Sequence, residues 1–384
     1  MMKKAIFLLP LAMLAACTAK PQQPQTLKDA LEGKFLIGSA INEAQIRGLD
    51  IRGDSVLFRH FNAIEPENCL KSEELQPEKG VFKWELADKY VEFGEKNKLT
   101  VYGHCLIWHS QLPAWFAKNE DGTDVSPEEL KKRMKDHIYT VVGRYKGRIK
   151  GWDVVNEAIN DDGSWRQSPF YRILGEEYIP LAFQYAHEAD PDCELYYNDY
   201  NMHCEGKIAT VIKMVKDLQA RGLRIDAVGF QGHFGTDYPD VDQLEKNIVD
   251  VHACGVDVMF TELDMSILPT IAMTADLAGV PFPEIRKNPE LSKKLHDIMV
   301  PYPDGIPQEA YDKWNQRAQM FWDMFLRQHG KIRRINVWGI QDGDSWKNGF
   351  PVRMEGRIDA PLLFDRNYRQ KPVVDWIIAN ADKY

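Results

Sequence analysis

What this 384-residue chain lacks narrows its function before any motif is read. There is no surplus of positive charge: 48 Lys and Arg stand against 57 Asp and Glu, a formal charge of −9. An acidic surface repels phosphate at long range, so nucleic acid is not an expected partner. Cysteine is sparse, six in all, with no CxxC pair and no Cys/His cluster at zinc-like spacing. No transition-metal site is therefore expected. An oxygen-ligand loop of the calcium-binding kind is also missing, and no cofactor is implied. From residue 30 onward no linker-like stretch divides the chain and no short repeat recurs, which points to a single domain over 29–384. With 44% hydrophobic and 27% charged residues, the composition excludes a fibrous or disordered protein.

The N-terminus carries a targeting pattern. Met1-Met2-Lys3-Lys4 is a short basic start, and the apolar run from Ala5 to Ala16 is too short to cross a bilayer comfortably. It ends in Leu14-Ala15-Ala16-Cys17, which resembles a bacterial lipobox in which Cys17 is acylated and becomes the mature N-terminus. Residues 1–17 are thus expected to be a lipoprotein signal peptide, and 18–28 a polar, Pro-containing tether. The protein is expected to be exported and lipid-anchored to a bacterial membrane, taken to be the outer one, with the side it faces left open. It is expected to act as a monomer. Five cysteines remain, Cys69, Cys105, Cys193, Cys204 and Cys254, an odd number that leaves one free unless it pairs between chains. Cys193 and Cys204 could pair in an exported protein.

What is present is a regular alternation. Short apolar or β-branched runs at 35–39, 60–64, 99–106, 149–155, 194–198, 227–231, 257–261 and 335–340 read as strands. Amphipathic stretches separate them; in 208–220, Ile208, Val211, Ile212, Val215 and Leu218 share one helical stripe. Such an alternation predicts an α/β fold, a (β/α)₈ TIM barrel. Chemistry in these barrels sits at the C-terminal strand ends. Polar and aromatic residues gather at those ends: Glu65 to Asn68, Trp108 to Gln111, Asn156-Glu157, Asn198 to Asn201, Gln231 to His233, Glu262 to Asp264, and Gln341-Asp342.

Glu157 and Glu262 stand out. A lone Glu at a strand end is most often a solvated loop charge. Here, twice and three strands apart, an acid ends a strand that should otherwise be buried, so the two could face each other across the barrel mouth. Facing carboxyls suit cleavage of a glycosidic bond, where one donates a proton to the leaving oxygen and the other attacks the anomeric carbon.

Eight short motifs in order make the pattern specific. They are Phe61-Asn62-Ala63-Ile64 with Glu67-Asn68 and Lys71; Gly103-His104-Cys105-Leu106-Ile107-Trp108-His109; Trp152-Asp153-Val154-Val155-Asn156-Glu157-Ala158; Tyr197-Asn198-Asp199-Tyr200-Asn201; Gly229-Phe230-Gln231-Gly232-His233; Thr261-Glu262-Leu263-Asp264; Val337-Trp338-Gly339; and Asp344-Ser345-Trp346. Over residues 36 to 377 the chain resembles the family-10 glycoside hydrolases, retaining endo-1,4-β-xylanases on a (β/α)₈ barrel. The resemblance implies that Glu157 is the acid/base and Glu262 the nucleophile. It further implies that Asn156 bonds the sugar 2-hydroxyl, that His233 holds the nucleophile, and that Asp264 fixes His233 from behind. Lys71, His104 and Gln231 resemble contacts to the −1 sugar, and Glu67 and Asn68 contacts to the −2 sugar. Trp108 would back the −1 pocket, Trp338 and Trp346 would wall the non-reducing side, and Tyr200 would be a +1 platform. Xylan and xylo-oligosaccharides are the implied partners. The alternatives are another retaining β-1,4-glycanase on this fold, or a catalytically silent xylan-binding lipoprotein. Two departures stand against the family pattern. Ser72 replaces the usual Trp after Lys71, with Cys69 in an unusual place nearby, and a long Pro- and charge-rich segment at 268–306 either borders the cleft or forms a peripheral insertion.

Overall fold

β-branched and aromatic runs form strands here because each is covered on its outer face by the amphipathic helix that follows it. In the computed structural model, which describes residues 25–270, 277 and 279–384, eight such strands close on themselves. They are β1 (Leu36–Ile41), β2 (Ala63–Pro66), β3 (Thr100–Gly103), β4 (Gly151–Asn156), β5 (Glu194–Asp199), β6 (Ala227–Phe230), β7 (Asp257–Ser266) and β8 (Ile332–Val337). Neighbours in sequence pair in parallel, and Leu36 opposite Arg334 joins β1 to β8 and shuts the barrel. Two short accessory strands extend the mouth: Ile107–Trp108 pairs with β4 and His233–Gly235 with β7. The expected TIM barrel is the fold observed.

The core lies between sheet and helices. The helix Glu205–Ala220 buries Ile208, Val211, Val215 and Leu218 on one stripe, as the sequence pattern predicts. The helix Pro127–Arg144 starts where Ser126 Oγ accepts from the Glu129 amide at 3.2 Å and a Pro fills the first turn. Inside the barrel a smaller cluster of Ala63, Tyr102, Tyr196, Ala227 and Met259 plugs the lower end. The Arg334 guanidinium lies 3.7 Å above the Tyr102 ring. That plug makes the barrel solid below and leaves only its upper mouth for chemistry.

Several boundaries differ from the sequence pattern. The second strand starts at Ala63 because His60 still belongs to the helix Ile51–His60, whose buried Leu57 and His60 lie on one face. The eighth strand runs earlier than expected, over Ile332–Val337, and stops before Gly339, whose φ of +128° turns the chain. The domain also reaches slightly into the expected tether: Thr26 caps the helix Leu27–Ala30, and Leu27 is fully buried. The signal peptide, Cys17 and most of the tether lie outside the described residues. Cys193 and Cys204 are free thiols, so the pairing open to them is not formed; the Cys193 thiol donates to the Asp190 carbonyl at 3.2 Å. The described part of the 268–306 segment forms the helices Phe282–Lys287 and Pro289–Met299 around a small core of its own.

Candidate active site

Strict strand alternation cannot put Asp153, Asn156 and Glu157 on one side of a sheet. Two irregularities achieve it. A register shift between Asp153 and Val155 against β5 marks a bulge at Val154, so that both Asp153 and Asn156 face the barrel interior. Glu157 then takes a φ of +58°, a left-handed conformation that a Glu adopts only under constraint, and turns its side chain into the same space. Its backbone is pinned by the Asn198 carbonyl at 2.9 Å and by Arg166 Nε, which donates to the Glu157 carbonyl at 2.7 Å. Both carboxyl oxygens are addressed: Trp108 Nε1 donates to Oε2 at 2.9 Å and Gln231 Nε2 to Oε1 at 3.0 Å.

The second acid rests on the same device. Across β8, Ile335 pairs with Phe260 and Val337 with Leu263, so β7 carries one residue more than its partner. The bulge lets Thr261 and Glu262 both point inward while Phe260 packs outward on Phe325, with ring centroids 4.4 Å apart. Glu262 is held by Asn198 Nδ2 at 3.0 Å and His233 Nε2 at 3.2 Å. Pairing of His233 opposite Asp264 sets Nδ1 3.0 Å from Asp264 Oδ1. Trp346 Nε1 at 2.8 Å and Lys347 Nζ at 3.2 Å complete the Asp264 shell. Burial alone would strip His233 of its proton, but attraction to Asp264 and Glu262 wins and lifts it to about 9. Burial pushes the Glu262 carboxyl up; the His233 hydrogen bond and the nearby His104 and Lys71 outweigh it and hold it below its ordinary value.

A chain of amides joins the two acids. Gln231 Nε2 lies 3.3 Å from Asn156 Oδ1, and Asn198 Nδ2 lies 3.1 Å from that same oxygen. Thr261 Oγ1 donates to Asn198 Oδ1 at 2.6 Å. Beneath this layer, Glu65, His104 and Asp153 bring ligand atoms within 4.8 Å of one another, a metal-like grouping. Arg334 already supplies the positive charge there, 3.0 Å from Glu65, and Asn336 donates to Glu65 at 2.7 Å. His104 is oriented by Asp153 at 2.9 Å, and burial lowers its proton affinity.

These groups open into a cleft of about 1360 Å³, its mouth included. Glu67, Asn68, Lys71, His104, Trp108, Asn156, Glu157, Tyr200, Gln231, His233, Glu262, Trp338 and Trp346 all line it. Asp264 alone of the expected set stands behind the wall. Lys71 is clamped between the Trp108 and Trp338 rings, 5.0 and 6.0 Å from their centroids, and donates to Asn68 Oδ1 at 3.1 Å. Ser72 turns away from the cleft, its hydroxyl 3.5 Å from His137. Two further residues serve the site without a role legible in the sequence: Asn198, which holds Glu262, and Arg166, which ties Glu157 to the Tyr200 hydroxyl at 2.7 Å. Nothing in the sequence marked Arg166; Asn198 was marked only by ending a strand.

Known proteins resemble this chain in both sequence and fold. Residues 26–380 match the family described as glycosyl hydrolase family 10. An endo-1,4-beta-xylanase A of Xylanibacter ruminicola is 46% identical over 378 residues, covering 98% of this chain and 99% of the relative. An endo-1,4-beta-xylanase of Geobacillus stearothermophilus is 35% identical over 357 residues, covering 92% and 98%. Among solved structures, a GH10 endoxylanase retrieved from a sugarcane soil metagenome superposes with a TM-score of 0.83 at 40% identity, covering 93% of this chain and 100% of the other. The chain belongs to glycosyl hydrolase family 10.

Proposed function

We propose that this protein is an endo-1,4-β-xylanase that hydrolyses internal β-1,4-xylosidic bonds with retention of configuration. The observation that carries the reading is the pair Glu157 and Glu262, both turned into one cleft by backbone irregularities and tied together through Asn156, Asn198 and Gln231. Glu262 is suited to be the nucleophile because its surroundings keep it ionised. It attacks the anomeric carbon while Glu157 gives its proton to the departing glycosidic oxygen, leaving a glycosyl ester on Glu262. Glu157, now a carboxylate, takes a proton from water; the hydroxyl attacks the anomeric carbon, the ester breaks, and Glu262 returns to its starting state.

The remaining groups position the sugar. Asn156 addresses the 2-hydroxyl, an interaction that strengthens as positive charge develops on the ring. Lys71, His104 and Gln231 face the −1 sugar and Glu67 and Asn68 the −2 sugar, with Trp108 behind. Trp338 and Trp346 wall one side, and Tyr200 offers a platform for the leaving sugar. A wall of Trp and Lys leaves little room for the hydroxymethyl group that glucose carries and xylose lacks, which favours xylan. Reducing-sugar release from xylan, cellulose and mannan tests the reading. Release chiefly from xylan supports it; preference for another glycan, or binding of xylan without release by folded protein, overturns it.

We also propose that the protein is exported and anchored through acylated Cys17, on the support of Leu14-Ala15-Ala16-Cys17 after a basic, apolar leader. Labelled fatty acid should enter the wild-type chain and not C17S. Recovery of both proteins unlabelled in the soluble fraction would refute the anchor.

A further inference from the structure

Beside the cleft lies a second cavity of about 1380 Å³, its mouth included, and Trp346 lines both. We propose that this cavity, through Arg353, Arg357 and Arg366, binds the carboxylate of an acidic sugar substituent, a hexuronate, carried by the xylan chain. The proposal rests on the xylanase reading above and adds to it a specificity for decorated substrate.

Charge is the first argument. The chain carries a formal −9, and most of its arginines face carboxylates. The three in this cavity do not: among the described residues none of them forms an ion pair. Arg357 donates to the carbonyls of Met299 at 2.7 Å and Lys347 at 3.3 Å. Arg366 donates to Asn348 Oδ1 at 2.6 Å and the Asp359 carbonyl at 3.0 Å. Arg353 has no hydrogen-bond partner among the described residues. Nearby acids offset this charge in part and without contact: Asp359 acts on Arg357, and Asp342 and Asp344 act on Arg366, none at ion-pair distance among the described residues. Glu355 is the one acid lining the cavity. Asp359 spends its oxygens on Ser266 Oγ and the Ile267 and Ala360 amides, and Asp342 faces Lys371.

Rigidity is the second argument. The arginine-bearing loop is braced by the 268–306 segment, whose Leu295, Met299 and Val300 form a small core against Val352 and Met354. The Met299 carbonyl holds Arg357 directly. Among the described residues the insertion contributes none to either cavity lining but fixes the loop that does. A fork-shaped guanidinium held in place, with a second one free to close, suits bidentate capture of a carboxylate. Because Trp346 lines each cavity, a sugar lying against it can present its substituent to the arginines. A free anion or a phosphate would gain nothing from that shared wall.

The test compares kcat/KM on a linear neutral xylo-oligosaccharide with that on the same backbone bearing one glucuronate branch, using the full chain and its R353Q and R353K variants. Loss of a charge-assisted hydrogen bond should lower the acidic-to-neutral ratio about tenfold in R353Q and less in R353K. Salt at about 0.5 M should shrink the wild-type preference, because a partly exposed pair is screened. Reducing the branch carboxylate to an alcohol should abolish that preference. A ratio unchanged within about twofold in R353Q, or a wild-type enzyme indifferent to reduction of the branch, overturns the proposal while leaving xylan cleavage intact. Failure to cleave either substrate removes the xylanase reading and this proposal with it.

Discussion

Asn198 lines no part of the cleft, yet its amide nitrogen lies 3.0 Å from Glu262 and 3.1 Å from Asn156. N198A removes both donors. A hydrogen bond to an ionised group contributes roughly 1.5–3 kcal/mol, and each 1.4 kcal/mol or so of barrier is a factor of about ten. Loss of Glu262 orientation should therefore lower kcat about 10- to 100-fold, with KM little changed because no sugar contact is removed. Stability should fall too, by about 1–3 kcal/mol, since the Thr261 hydroxyl loses its acceptor and a cavity opens. N198D separates these effects. It keeps the shape but sets a second carboxylate against Glu262, and like charges so close cannot both ionise freely. The acidic limb of its kcat profile should move toward neutral pH. Initial rates on an aryl xylobioside across pH, with melting curves on the same samples, make the measurement. A folded N198A with kcat within about twofold of wild type, or an unmoved acidic limb in N198D, would show that the amide is mere packing.

Other perturbations read different links. E157A should retain cleavage of substrates whose leaving groups are strongly acidic and lose xylan cleavage by orders of magnitude; equal loss on both would contradict its assignment as proton donor. E262A should be inactive and partly rescued by a small anion, giving a glycosyl adduct of inverted configuration, visible by NMR. His233, raised from an ordinary 6.5 to about 9, stabilises the fold fully below pH 6.5, and that contribution is lost as pH rises through about 9. The wild-type melting temperature should therefore fall over this window more steeply than that of H233Q. F260A, which empties a fully buried site against Phe325, should cost about 3–5 kcal/mol in denaturant unfolding.

Fold and site were legible to different depths. The barrel could be read because each strand is a short β-branched run and each helix keeps a stripe such as Ile208, Val211 and Val215; burial enforces both periodicities. Boundaries failed where tertiary contact decides: His60 reads as strand but closes a helix, and Leu27 reads as tether but is buried. The cleft residues are legible because they fall in motifs whose side chains point into the cleft. Arg166 and Asn198 act on other protein groups, so neither composition nor periodicity singles them out. The braced arginine loop is invisible to sequence for a related reason, since its support comes from a carbonyl at Met299, which any residue could supply.

The two acids share one further property that bears on how the site is built. Each sits at a break in strand alternation, Glu262 on a bulge and Glu157 in a left-handed conformation next to another bulge. A regular ladder would offer the mouth one side chain in every two, leaving gaps between successive inward groups. The irregular one offers Asn156 with Glu157, and Thr261 with Glu262, as adjacent pairs. Each pair joins an acid to the polar neighbour that links it to Asn198 or Gln231. The left-handed backbone of Glu157 costs on the order of 1–3 kcal/mol and persists only where surroundings over-determine it. Around Glu157 the Asn198 carbonyl, Arg166, Trp108 and Gln231 do so, while His233 and Asn198 hold the Glu262 carboxyl. The bulges are thus the reason two carboxylates can face one cleft, and the amide network ties the two together there.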